Sequence, residues 1–444
     1  MAGTSSPRAT RKISAEDAAR LVKSGDWIDY GVAALQPDVF DKALAARRDE
    51  LRQVKFRSCI SVKPRAVLEC DPHGEHFHWF SWHFSGYDRA KHDAGIGHYI
   101  PMNLGEIPDY YRRFIDPVDV AVLKACPMDE AGHFNLSVSN VWMRAIVERA
   151  KIVVVEISKG LPYCYGMQNA IHASEVDYVI DGDDAPPAEL PSAALTEVDR
   201  AVGRRIAEEI GDGACLQIGI GGMPNAVCTM LRESGVRHLG MHTEMLTDGL
   251  IELYRSGQID GSMKTIDKGR HVFGFALGSK VLYETVHRNR DFHCCPAEYT
   301  NPPHMIMQND RVVSINNTTQ VDLQGQAASE SDGHRHLSGT GGQLQFVRGA
   351  YASKSGKSFM CLASTYERRG VRKSRIVPAL THGNIVTTPR TDVMYVVTEH
   401  GIANLKGKSV AERARALISI AHPDFRDELE KQAREHRLIP KHLF

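Results

Sequence analysis

Short apolar runs bounded by turn residues alternate with amphipathic stretches all along this chain, and that alternation is what most limits how it can fold. VAVLKACP at 120–127, NVWMRAIVERA at 140–150 and KIVVVEIS at 151–158 show the pattern in miniature. Strands that are apolar throughout are buried on both faces, as parallel strands are, so the expectation is an α/β fold with largely parallel sheets. The chain has 444 residues. Single cores stop growing at roughly 250–300 residues, so two domains are expected. Prolines, acidic residues and small residues cluster in DGDDAPPAELPSAALTEVD at 181–199, just before the helical pattern AVGRRIAEEI at 201–210. The reading is a mobile tail at 1–12, an N-terminal α/β domain at 13–190 and a C-terminal α/β domain at 191–444.

The two sides of this boundary echo each other. Residues 25–51 and 213–236 both run strand, Gly turn, Pro at a helix start, then amphipathic helix. Residues 118–137 and 392–409 both run strand, Gly-containing turn and an Asn-Leu pair, although the spacing differs. Any two βα units share some likeness, but two echoes in the same order favour duplication. Duplicated open sheets would place an active site between equivalent strand ends, where such sheets bind ligands.

Charge excludes some partners. Lys plus Arg and Asp plus Glu both number 54, so no net field draws nucleic acid or an anionic membrane. Hydrophobic residues at 42% and charged residues at 24% fit a globular protein and are too apolar for a disordered one. The apolar runs fall well short of the ~20 residues that span a bilayer. The first dozen residues lack the apolar stretch of a secretory signal. Nine cysteines without CxxC spacing read as reduced thiols, which places the chain in the cytoplasm.

Three segments could carry chemistry. GIGGMPN at 219–225 follows the apolar strand ACLQI and opens a helix. Its glycines permit close backbone approach, and the helix end supplies N–H groups and partial positive charge for a phosphate or an oxyanion. Many such turns only join a strand to a helix. A second glycine cluster, SGTGGQ at 338–343, offers donors from another direction, or else is a surface loop. Glu244, in HLGMHTEMLTDG, stands at a strand end. With an ordinary pKa of ~4.3 it would be ionised at neutral pH and could attack a thioester without a base. A strand-end Glu is equally read as a surface residue or a helix-dipole partner, so the local pattern leaves its role open.

The histidine-rich DPHGEHFHWFSWHF at 71–84 invites a metal reading through His73, His76, His78 and His83. It lacks the Cys or carboxylate spacing of zinc sites, and its Trp and Phe residues fit an aromatic wall or subunit contact better. His293, Cys294 and Cys295 read as structural. No metal site is assigned.

LQIGIGGMPNAV, GMHTEMLTDGLIELYRSGQIDG, SINNTTQVDLQGQAASES, HLSGTGGQLQFVRGA and PRTDVMYVVTEHGIANLKGKS follow one another in this chain. In that order they resemble the acetyl-CoA hydrolase/transferase family, which includes butyryl-CoA:acetate, 4-hydroxybutyrate, succinyl-CoA:acetate and itaconate CoA-transferases. The likeness covers nearly the whole chain, most clearly 200–425. It implies two similar open α/β domains of the CoA-transferase type with the active site between them.

The resemblance, and not the local pattern, selects Glu244 as the nucleophile, through the HTEM motif. It implies double displacement through a mixed anhydride and a glutamyl-CoA thioester, with coenzyme A as substrate and covalent intermediate and no permanently bound cofactor. It also implies CoA contacts at Gly219, Ile220, Gly221, Gly222 and Met223, at Thr319, and at Ser338, Gly341 and Gly342. The implied partners are an acyl-CoA and a small carboxylate (acetate, butyrate, 4-hydroxybutyrate or an itaconate-type acid), in a homodimer or homotetramer. Many relatives read INSxxE before VDLxGQ, whereas Gln320 stands here, which implies a changed choice of acid. The aromatic HWFSWHF and QPDVFDKAL segments, with Glu69 in a lesser role, are expected to shape the acid pocket. Two rivals remain: an acyl-CoA hydrolase, which admits water to the same intermediates, and a non-catalytic CoA-binding regulator, against which Glu244 and both Gly loops argue.

Overall fold

The computed structural model describes residues 10–115, 118–190 and 194–440. Contacts divide the chain into two units, one comprising the residues up to Leu190 together with Phe273–Thr300, the other Pro191–Val272 and Asn301–Phe444. A single cut near 190 therefore misplaces Phe273–Thr300, which the first unit holds by main-chain bonds. Leu190 N–H donates to Gly278 O at 3.0 Å, Arg288 N–H to Tyr163 O at 2.8 Å and Cys294 N–H to Tyr165 O at 2.8 Å. Such bonds between distant segments leave no local trace in the sequence.

The first unit is built on an eight-stranded sheet in the order Arg11–Lys12, Tyr178–Asp181, Ala150–Ile157, Val118–Ala125, Trp27–Val32, Val54–Cys59, Phe77–Ser81, Gly97–Tyr99. All neighbours run parallel, with Ile28 opposite both Phe56 and Val120. The apolar runs of the sequence are the central strands, and Val120, Val122, Val153, Val154 and Val155 are buried. Helices cover both faces, as all-parallel sheets require. Arg11 and Lys12, counted in the expected tail, are instead an edge strand. Arg11 N–H donates to Asp177 O at 3.0 Å, and the guanidinium lies over the Tyr178 ring. The remainder of that tail, 1–9, lies outside the described residues.

In the second unit six strands run in the order Gly240–Leu246, Cys215–Ile218, Val312–Asn317, Lys357–Cys361, Tyr395–Thr398, Gly401–Asn404. They are parallel except for the final pair, where Val396 faces Ala403 in an antiparallel hairpin. Strand for strand this repeats the first unit. Trp27–Val32 corresponds to Cys215–Ile218, and each is flanked by the next strand on one side and a later one on the other. This order corrects the second sequence echo: Val118–Ala125 matches Val312–Asn317 in position, while Tyr395–Thr398 matches Tyr178–Asp181. The Asn-Leu likeness arose from turn composition.

Local chemistry fixes where the helices near the site begin. Thr196 accepts from Asp199 N–H while the Asp199 carboxylate accepts from Thr196 N–H, a reciprocal cap that starts helix Glu197–Ala207. Helix Gly222–Ser234 ends at Gly235 in the left-handed conformation, φ 76°.

Most of the histidine-rich segment serves the core. Phe77 and Trp79 are fully buried, and Trp79 packs with Tyr30 and Phe56 while its indole N–H donates to Asp88 at 3.1 Å. His76 faces Leu51 O at 2.9 Å. The aromatic wall expected at an acid pocket is, at these two residues, interior packing, set by alternation along strand Phe77–Ser81. Glu69 is also no pocket residue. It is exposed, accepts from the Tyr87 hydroxyl at 2.6 Å and pairs with Lys91 at 2.9 Å. All nine cysteines are free, and all but Cys70 are buried. Among the described residues no three His, Cys, Asp or Glu gather as a metal group, and no helix is long and apolar enough to cross a membrane.

Candidate active site

Two neighbouring parallel strands of the second unit deliver the principal groups. Cys215–Ile218 ends in the turn Gly219–Gly221, and Gly240–Leu246, paired to it through Cys215 opposite Gly240, carries Glu244 near its own carboxyl end. The carboxyl ends of parallel strands are where open sheets present their ligand-binding groups. Six of the seven residues of Gly240–Leu246 are buried, and Glu244 alone stays half-buried.

Two donors hold the Glu244 carboxylate. Asn301 Nδ2 donates to Oε2 at 2.7 Å, and the Gly342 N–H provides a second bond. Gly342 caps the ten-residue helix Gln343–Ala352, so the carboxylate lies at the positive end of a helix dipole. Absence of a side chain at 342 is required here, because a Cβ would overlap both Glu244 Oε2 and Asn301 Nδ2. Burial nevertheless dominates the electrostatics. Desolvation pushes the Glu244 pKa up to about 7, against the downward pull of Asn301 and the Gly342 N–H. The sequence expectation of a fully ionised carboxylate is thus corrected, since packing around the strand end is invisible to a reference pKa. Near neutral pH about half the molecules carry the reactive anion. Those that do have a more basic, stronger nucleophile.

The first glycine loop is shaped by its neighbour strand. Gly219 N–H donates to Ile315 O at 2.9 Å, and Asn317 Nδ2 donates to Ile220 O at 3.0 Å. Gly221 adopts φ +129°, and a Cβ there would collide with Asn317 Nδ2. No side chain caps helix Gly222–Ser234, so its first turn, Gly222 and Met223 included, is open for an external acceptor. Ile220 is 53% exposed at the tip, where an apolar contact with a ligand would be made.

The second loop reaches the site at one end only. Gly342 touches Glu244, and Gly341 takes φ +56° to turn the chain into the helix. Ser338 is tied down by its backbone, its carbonyl facing His336 Nε2 at 3.1 Å. Thr340 donates to Glu330 Oε2 at 3.0 Å and Thr387 to Glu330 Oε1 at 2.9 Å, which braces the loop from below. Thr319 spends its hydroxyl proton on Ala328 O at 2.7 Å. It has an oxygen lone pair left for a ligand donor, but no free proton in this arrangement.

Gln320 is buried, and its amide clamps one segment: Nε2 donates to Thr381 Oγ1 at 2.9 Å, while Oε1 accepts from Thr381 N–H at 2.8 Å and Asn384 Nδ2 at 2.9 Å. The amide is fully used in holding residues 381–384. Its expected direct influence on the acid is replaced by a structural one.

Sequence reasoning missed Asn301. It lies in YTNPP, follows the short helix Ala297–Thr300 and carries no motif that points to Glu244.

Comparison with known proteins agrees with this arrangement. The acetyl-CoA hydrolase/transferase N-terminal domain model matches residues 6–191, and the corresponding C-terminal domain model matches 278–433. A butyryl-CoA:acetate CoA-transferase from Anaerostipes caccae is 44% identical, covering 96% of each chain. A succinyl-CoA:cyclohexane-1-carboxylate CoA transferase from Geobacter metallireducens is 43% identical, covering 95% of each. Among solved structures, RipA from Yersinia pestis superposes with TM-score 0.89 at 36% identity, over 97% of this chain and 98% of that one. An open parallel α/β fold with a carboxylate at a strand end defines the general class, and within it the chain belongs to the acetyl-CoA hydrolase/transferase family.

Proposed function

We propose that this protein is a CoA-transferase that moves CoA from an acyl-CoA donor to a small carboxylic acid through a thioester on Glu244. The observation that carries this reading is the Glu244 carboxylate, half-buried at a strand end and held by Asn301 and the Gly342 N–H. The relatives named above, CoA-transferases at 43–44% identity over nearly the whole chain, support it.

Each step conserves atoms and electrons. The Glu244 carboxylate attacks the thioester carbonyl, the C–S bond breaks, and CoA thiolate leaves a mixed anhydride. The thiolate then attacks the glutamyl carbonyl and releases the donor acid, giving glutamyl-CoA. The acceptor carboxylate attacks that thioester, and the thiolate takes the acyl group from the new anhydride, which frees Glu244. No redox partner or external base is needed. Backbone N–H groups of Gly219–Met223 and of Ser338–Gly342 are assigned to the oxyanions and the CoA chain, where preorganised dipoles lower the barrier. Thr319 accepts from CoA through its remaining lone pair. The enzyme acts in the cytoplasm as a homo-oligomer.

An acceptor panel tests the reading. With acetyl-CoA or succinyl-CoA as donor and acetate, butyrate, 4-hydroxybutyrate, succinate or itaconate as acceptor, new acyl-CoA is expected only when an acid is supplied. Release of free CoA at the same rate without any acceptor would make the enzyme a hydrolase instead.

A further inference from the structure

The first unit has its own crevice at the carboxyl ends of its parallel strands. Trp27–Val32 has its sequence successor Val54–Cys59 on one side and the later Val118–Ala125 on the other, so the winding of the sheet reverses at this strand. In open α/β sheets ligands bind at such a switch point. A cavity of about 270 Å³, open solvent at its mouth included, lies there, and Gln36, Asp38, Lys63, Arg65 and Lys124 line it. Lys63 and Arg65 follow Val54–Cys59, the strand that corresponds in the duplicated order to the one bearing Glu244.

Three cations converge on one carboxylate. Asp38 is met by Lys124 Nζ at 2.6 Å, Arg65 Nη2 at 2.9 Å and Lys63 Nζ at 3.3 Å. Glu156 lies 3.6 Å from Lys124 but is occupied by the N–H groups of Asp38, Val39 and Phe40, at 2.9, 3.1 and 2.9 Å. Asp183 comes only within 3.7 Å of Lys124. Arg65 and Lys124 are buried, whereas the Lys63 side chain is 37% exposed and makes the longest of the three bonds. Two cations suffice for Asp38, so the Lys63 ammonium at the mouth has donors to spare. A second independent sign lies on the wall. Gln36 is 2% exposed, its Nε2 donates to Ser58 Oγ at 2.6 Å, and its Oε1 is buried with no donor. A buried acceptor in that condition needs a donor from a ligand or from water. The carboxylates already present disfavour a phosphate dianion and leave room for one further negative charge.

Resting on the transferase reading above, we propose that this pocket binds one carboxylate of a small dicarboxylic acid through Lys63. Dicarboxylic acids, rather than simple fatty acids, are then the preferred partners of the reaction.

The test compares kcat/KM for succinate and butyrate as acceptors from one donor, using the full chain. Wild type is expected to favour succinate by about tenfold or more, and Lys63→Met to lower the succinate-to-butyrate ratio by about tenfold, while Lys63→Arg keeps the preference. Thermal melting checks that each variant folds, and Lys63→Gln reads the same ratio if Lys63→Met does not. A wild-type preference for butyrate, or a ratio unmoved by loss of Lys63, overturns the proposal. Transfer to no acid at all would defeat the transferase reading instead. In that case calorimetric titration with succinate still decides: binding lost in Lys63→Met upholds the pocket, and no binding to wild type overturns it.

Discussion

Asn301 and Glu244, 57 positions apart in the chain, meet through a 2.7 Å hydrogen bond from the amide of one to the carboxylate of the other. That bond stabilises the charged form of a group that burial pushes towards neutrality.

Removing Asn301 should therefore act on the acid limb of the rate profile. The nucleophile is the anion, so activity is expected to rise with pH through about 7. Asn301→Ala takes away a contribution that lowers the Glu244 pKa, and the limb should move to higher pH. At pH 7 kcat/KM should fall on the order of 10-fold to 100-fold, with part of the loss recovered at pH 8.5. A pH profile of kcat/KM for both proteins is the check.

Glu244 should also weaken the fold as pH rises. Its folded-state pKa, about 7, exceeds the ordinary 4.5, so the unfolded chain gives up this proton first. Below pH 4.5 both states are protonated and the residue costs nothing. Between 4.5 and 7 the penalty of the buried charge grows, and above 7 it is complete. Glu244→Gln is expected to be more stable than wild type at pH 8 by about 2–3 kcal/mol, with the difference vanishing near pH 4. Urea unfolding at the two pH values measures it.

Gly342→Ala should damage the site without unfolding the protein. The added methyl group overlaps Glu244 Oε2 and Asn301 Nδ2 and forces the nucleophile out of place. A loss in kcat on the order of 100-fold, with thermal melting little changed, is the expected pair of results.

Gln320→Leu is a stability mutation. It strands Thr381 N–H, Thr381 Oγ1 and Asn384 Nδ2, three groups now bonded to one amide. A cost of about 2–4 kcal/mol follows, readable by chemical denaturation, with the relative rates on different acids preserved.

Periodicity disclosed the strands well because buried parallel strands are apolar on both faces, as in Val118–Ala125 and Ala150–Ile157. The glycine loops were legible for a similar reason, since Gly221 at φ +129° and Gly342 against Glu244 tolerate no side chain. Glu244 was selected by family likeness alone, because a carboxylate at a strand end has several ordinary uses. Asn301 left no signal, as its role exists only through a contact spanning 57 positions. Lys63, Arg65, Lys124 and Gln36 were hidden in the same way, being scattered over three strand ends that only the folded sheet brings together. The raised pKa of Glu244 follows from burial, a property of packing.

The account turns on which atom becomes acylated. Enzyme incubated with a productive acyl-CoA, trapped by reduction or by hydroxylamine and digested, should show a single mass change on the peptide carrying Glu244. Glu244→Ala should lack the adduct and lose turnover by on the order of 10³ or more. An adduct on another residue, or none at all during active turnover, would contradict it.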